Sequence, residues 1–175
     1  MRESALLAFY RGDGGDHRGR ALSDIHEFDF YELELKHDYI QWLFPLPEPS
    51  GANALAPLLS SADVAAFHEE DSLRRALLQS LVLMLHFYGL DLADGSGGVQ
   101  VVRAENFGER SENWLTHANH NFLRISRILR SLALLGLSRY AGAFLQCLDG
   151  IYAEHSEIIG HTTVGYWRRA IAIGR

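Results

Sequence analysis

Nine residues recur at alternating spacings of three and four: Arg103, Asn106, Arg110, Asn113, His117, His120, Arg124, Arg127 and Ser131. On one continuous helix this spacing places them on a single face. Guanidinium, carboxamide and imidazole dominate that face, while the nearby carboxylates Glu105, Glu109 and Glu112 fall off it. Paired guanidinium N–H groups grip a carboxylate or phosphate in a two-pronged manner. The stripe, with Asn121 beside it, therefore reads as a surface for a peptide or a small anionic molecule. The competing reading is a solvated helix face. Against it stand the absence of lysine from the stripe and the poor fit of asparagine to helix interiors. Ala118-Asn119-His120-Asn121 offers a break, with Asn119 or Asn121 as N-cap. The stripe then becomes two shorter faces meeting at a helix N-terminus, an end that attracts anions.

Other side chains suggest other chemistry. His37-Asp38 has the form of the paired ligands of HD-type metal phosphohydrolases, and His26, Asp24 and Asp91 are candidates for the further ligands such a site needs. A metal-dependent hydrolase using His26, His37 and Asp38 is thus the enzymatic alternative. His117 and His120 form an HxxH pair that lacks a third ligand. Cys147 is the sole cysteine and lies among apolar residues, which excludes an internal disulfide and suits a small core residue. GDGGD and DGSGG lack the spacing of a phosphate-binding loop or dinucleotide fingerprint and read as turns. No catalytic residue, metal or cofactor is assigned.

These groups must be held by helices, because helical periodicity dominates the chain and strand alternation is scarce. Leu73, Leu77, Leu81, Met84 and Tyr88 form one apolar stripe on the clearest helix, which Gly89 should stop. Ser61 is the expected N-cap of the helix before it. NFLRISRILRSLALLGLS forms a second long helix ended by Gly136, Ser138 caps a third, and Thr162 or Thr163 starts the last. DLADGSGGVQ reads as a loop, with VQVV as a short strand or extended piece. All four prolines lie between Pro45 and Pro57 and predict an extended polyproline-like strap. Gln41 and Trp42 precede this strap and join the candidate ligand-binding residues, although Trp42 and Phe44 also suit a core. The expected fold is all-α: a single compact domain over residues 1–175, with about seven to nine helices and the proline strap over one side.

Composition narrows the partners. The chain has 175 residues and 47% hydrophobic side chains, values ordinary for one soluble domain. No run approaches the roughly 20 apolar residues of a membrane span, and no secretory signal is visible, so the expected compartment is the cytoplasm. Net charge is −6, with 7 basic against 16 acidic side chains in residues 1–100 and 9 against 6 in residues 101–175. This balance argues against a nucleic-acid partner.

The strings YIQWLFPLPEPS (Tyr39 to Ser50), HFYG (His86 to Gly89), RAEN (Arg103 to Asn106) and LRISRILRSLALLGL (ending at Leu137, after His120-Asn121) carry a family resemblance. The chain resembles the conserved region of the opioid growth factor receptor family, in a minimal bacterial form. The resemblance runs from about Phe9 to Trp167. It implies a binding protein rather than an enzyme, since the family defines no catalytic residues. Animal members are described as receptors for an endogenous opioid peptide that restrain cell growth at the nuclear envelope and nucleus, with long tails beyond this region. A structural protein-interaction domain is the third reading of the chain.

Overall fold

The structure is a computed structural model and describes residues 4–172. Among these residues are eleven helices and one two-stranded antiparallel sheet. The all-α expectation is therefore corrected: the protein is mostly helical and includes a β-hairpin. The described residues divide into two compact units between Ser80 and Leu81, within one continuous helix.

The first unit is built from short, well-capped helices. Ser4 Oγ accepts the Leu7 N–H and starts α1 (Ala5–Arg11), which ends at Gly12 in the left-handed region, φ 83°. Next come α2 (Leu22–His26), α3 (Phe30–Leu35) and α4 (Ile40–Leu43). A reciprocal Asp29–Glu32 capping box starts α3. The cap of α5 (Ser61–Glu69) is Ser60, one residue earlier than expected, because Ser60 and Asp63 satisfy each other's backbone N–H groups. Phe9 meets Trp42 and Tyr10 meets Phe67 edge to face, with centroids 5.2 and 4.9 Å apart. The Tyr10 hydroxyl donates to the Leu43 carbonyl at 2.5 Å and fastens α1 to α4.

The proline strap is also corrected. Residues 44–60 form bends and a turn rather than an extended run. Asn53 Oδ1 accepts the Leu55 N–H at 3.0 Å, and the Ala56 N–H reaches the Asn53 carbonyl. The Leu59 N–H then bonds the Leu46 carbonyl at 3.1 Å, so the segment folds back on itself. Proline fixes its own φ but not the turn that a neighbouring asparagine can build.

Helix α6 (Asp71–Tyr88) contains the predicted apolar stripe, and Leu73, Leu77, Leu81, Met84 and Tyr88 are all buried. It stops at Gly89, φ 75°, as the sequence suggests. Strands β1 (Leu90–Gly95) and β2 (Gly98–Arg103) follow, in the segment read partly as a loop. Leu90, Leu92, Val99 and Val101 share one face of this hairpin, and Leu90 and Val101 are buried. The rest of the second unit is α7 (Phe107–Ser111), α8 (Asn121–Leu134), α9 (Ser138–Glu154), α10 (Ser156–Ile159) and α11 (His161–Ala172). Helices α8, α9 and α11 pack on one another, and α9 packs on β2. Trp167 Nε1 donates to the Phe122 carbonyl at 3.0 Å, tying α11 to the first turn of α8. No helix of the described residues is long and apolar enough to cross a membrane.

Candidate functional site

The donor stripe is not one helix face. Arg103 closes β2, Asn106 precedes α7, Arg110 lies within α7, Asn113 sits in the turn after it, and His120 precedes α8. Asn121, Arg124 and Arg127 lie on α8. The break foreseen at residues 118–121 is real. Ala118 takes a positive φ of 54°, a conformation uncommon outside glycine. Asn119 organises the corner: its Oδ1 accepts the Asn121 N–H at 2.9 Å, and its Nδ2 donates to the Asn113 carbonyl and Thr116 Oγ1 at 3.1 and 2.8 Å.

Two arginines of the stripe hold structure together. Arg103 makes a two-pronged pair with Glu154 at 3.0 and 2.7 Å, and its guanidinium lies 4.7 Å from the Phe107 ring centroid. The Glu154 hydrogen bond holds Arg103 above its ordinary pKa, and Arg103 holds the Glu154 carboxyl below the usual carboxylate range. Arg110 Nε donates to the Phe87 carbonyl at 3.0 Å, over the Phe87 ring. This places α7 against the end of α6, where a Cβ on Gly89 would lie 2.8 Å from Phe107 Cα and Arg110 Cβ.

The start of α8 is different. Asn121, Arg124 and Ser131 are buried on its inner side, and Arg124 is only 5% exposed. An Arg124 guanidinium N–H donates to Asn121 Oδ1 at 3.2 Å. Arg127 is half-buried, and His120, Asn113 and Asn106 are exposed. Thus the structure joins Arg124 to Asn121, while Arg103 and Arg110 are engaged elsewhere. A buried arginine is unusual in any helix, since a guanidinium taken from water must be held by hydrogen bonds.

Gln41 and Trp42 lie in the first unit, and both are buried. Trp42 Nε1 donates to His17 Nδ1 at 3.1 Å, which holds the segment between α1 and α2 onto α4. Asp38 there is occupied by Arg18 and by Arg20 at 3.0 Å. His37 is exposed, and His26 Nε2 lies 2.9 Å from Ser80 Oγ. Among the described residues no three His, Cys, Asp or Glu side chains are gathered to hold a metal ion. The His26, His37 and Asp38 set therefore does not come together as a metal centre. Burial pushes the Cys147 thiol up to about 11, against a smaller opposing effect of Arg103, which makes it a poor nucleophile at neutral pH. Sequence reasoning missed the burial of Arg124, for which an arginine in a polar stripe gives no signal, and the Glu154 partner of Arg103, 51 residues away.

The sequence matches the family described as the opioid growth factor receptor (OGFr) conserved region over residues 8–173. It is 49% identical to the mouse opioid growth factor receptor over 138 residues, 77% of this chain and 21% of that protein. Human opioid growth factor receptor is 45% identical over the same length, covering 77% of this chain and 20% of the relative. Opioid growth factor receptor-like protein 1 of Xenopus tropicalis is 40% identical over 112 residues, 64% of this chain and 21% of the relative. The chain thus spans about a fifth of the length of these relatives. No solved structure matches it.

Proposed function

The chain belongs to the opioid growth factor receptor conserved-region family, and we propose that it is a non-catalytic module that binds a peptide or small molecule through an anionic group. The observation that carries this reading is the buried Arg124 guanidinium, set one turn inside α8 and oriented by Asn121. Such a group is pre-positioned, so little side-chain entropy is lost when a ligand arrives. The N-terminus of α8 adds the positive end of a helix dipole beside it. Arg127, one turn further along the helix, supplies a second guanidinium.

The peptide in question has a carboxylate or phosphate to offer. The relatives are named receptors for an opioid growth factor, which favours a peptide among the ligands to try first.

The test is a thermal-shift and calorimetric panel of nucleotides, phosphosugars and short peptides with free or amidated C-termini. At least one anionic ligand class should raise the melting temperature, because a ligand that binds only the folded state stabilises it by mass action. Arg127→Gln should remove that increment. Arg124→Gln should remove it too, with a lower starting stability because a buried group is lost. A panel in which no anion shifts the parent, or in which both variants respond like the parent, would falsify the reading.

A further inference from the structure

The β-hairpin carries a surface independent of the α8 site. The Ala104 N–H donates to the Gly89 carbonyl at 2.9 Å, and residues 90–95 pair with 103–98 in simple register. In an antiparallel ladder, pairs that exchange hydrogen bonds alternate with pairs that do not. The Gly89–Ala104 bond sets the phase, so Asp91 pairs with Val102 and Ala93 with Gln100 through hydrogen bonds. The N–H and C=O groups of Leu92 and Asp94 then point away from β2. Neither residue's backbone meets a hydrogen-bond partner on that side among the described residues. Strand β1 thus presents an unpaired edge, while helix α9 packs on β2.

The side chains of β1 define what could join it. Asp91 and Asp94 are its charged residues, on opposite faces, and Asp94 is exposed. His86 Nε2 lies 2.9 Å from Asp91 Oδ1. Leu90 and Leu92 share the apolar face, with Leu90 buried and Leu92 partly open. A second copy of the chain would set two acidic strands side by side in a molecule of net charge −6, which like-charge repulsion disfavours. A strand with cations opposite the two aspartates and an apolar residue opposite Leu92 meets both needs.

We propose that β1 is a docking edge for an extended basic segment of a partner polypeptide, which adds as a third strand with two Lys or Arg residues three positions apart, on opposite faces, and an apolar residue between them. In antiparallel pairing, a Lys-Thr-Val-Lys-Val segment puts its lysines opposite Asp94 and Asp91 and its central valine opposite Leu92.

The experiment uses this sequence as a capped, fluorescently labelled peptide, followed by anisotropy with the full chain. The parent peptide should bind. N-methylation of the central valine amide, which faces Leu92, should weaken binding at least tenfold. N-methylation of the second lysine amide, which faces the opposite way, should leave it within twofold. An Asp-Thr-Val-Asp-Val peptide should not bind. On the protein side, Leu92→Pro removes the outward N–H at an edge position that tolerates proline and should abolish binding. Amide exchange at Leu92 and Asp94 should slow when the parent peptide is present. Phosphate should not compete, so failure here is distinguishable from failure at Arg124. Absence of binding, indifference to which amide is methylated, or equal binding of the acidic peptide overturns the proposal.

Discussion

At the scale of single residues, burial decides which groups titrate. Burial lowers the pKa of the His26 imidazole, which stays neutral beside Ser80 Oγ at neutral pH. In the unfolded chain the same ring takes a proton near pH 6.5. Below that value the unfolded state binds more protons, so stability falls as the pH falls and is fully present above it. Melting curves between pH 7 and 5 should therefore show a declining midpoint, and His26→Gln should flatten the decline. An unchanged slope in the variant would place its origin elsewhere. Asp38 acts in a lower window. Burial pushes its carboxyl up, but the Arg20 hydrogen bond and the charges of Arg20, Arg18 and His17 outweigh that and hold it below the usual carboxylate range. Its contribution is present above about pH 4, the ordinary aspartate value, and is lost only below it. Cys147 offers a simpler check: with its thiol raised to about 11, it should react with a disulfide reagent at pH 8 far more slowly than a free thiol. The apolar neighbours of Cys147 already point to its burial, whereas the environments of His26 and Asp38 were not legible, because a lone histidine or aspartate in a sequence reveals its type and not its solvent. The Arg124–Asn121 pair was half legible. Spacing brought Arg124 into the candidate set and the break at residues 118–121 brought Asn121, but only packing shows that Arg124 is buried and Arg103 is committed to Glu154.

At the scale of elements, α6 is where sequence and structure agree most closely. Five apolar residues at helical spacing predict a core face, and all five are buried. Leu81→Ala should cost about 2–5 kcal/mol in a chemical melt, the usual loss for a buried leucine. Less than about half a kcal/mol would mean the side chain is not packed as described. The end of α6 allows a sharper comparison. Gly12 and Gly89 both follow helices with positive φ, 83° and 75°. An added Cβ meets nothing within 4 Å at Gly12, but lies 2.8 Å from Phe107 Cα and Arg110 Cβ at Gly89. Gly12→Ala should thus show the left-handed backbone penalty alone, about 1–2 kcal/mol. Gly89→Ala should cost more, since α7 must also move; equal losses in urea melts would refute the close approach. The hairpin and the folded-back proline segment were the least legible elements. Asp91, Asp94 and three glycines obscure the β pattern, which becomes visible only once Leu90 and Val101 face the same core. In the proline segment, Asn53 builds the turn, and nothing in the alternate prolines announces it.

At the scale of the whole molecule, charge separates a real anion site from a general salt effect. The chain carries −6, concentrated as an excess of 16 acidic over 7 basic groups in residues 1–100. At millimolar concentrations, where exclusion of sulfate and phosphate from the surface is negligible, an electrolyte screens this self-repulsion and raises the melting temperature a little, whatever the anion. A binding site behaves differently: its stabilisation depends on the anion's identity and follows the logarithmic form expected of a ligand that binds the folded state. The expected result is that replacing chloride by phosphate or sulfate at constant ionic strength raises the melting temperature of the parent. In Arg127→Gln the phosphate and chloride curves should coincide, while the shared dependence on ionic strength remains. The acidic excess also predicts weak, strongly salt-sensitive attraction to duplex DNA at most, so polyphosphate length should not enhance the effect beyond that of single phosphates. If phosphate and chloride are interchangeable for the parent at every ionic strength, the donors around Arg124 form a structural seam, and the ligand of this family module must be sought on another surface.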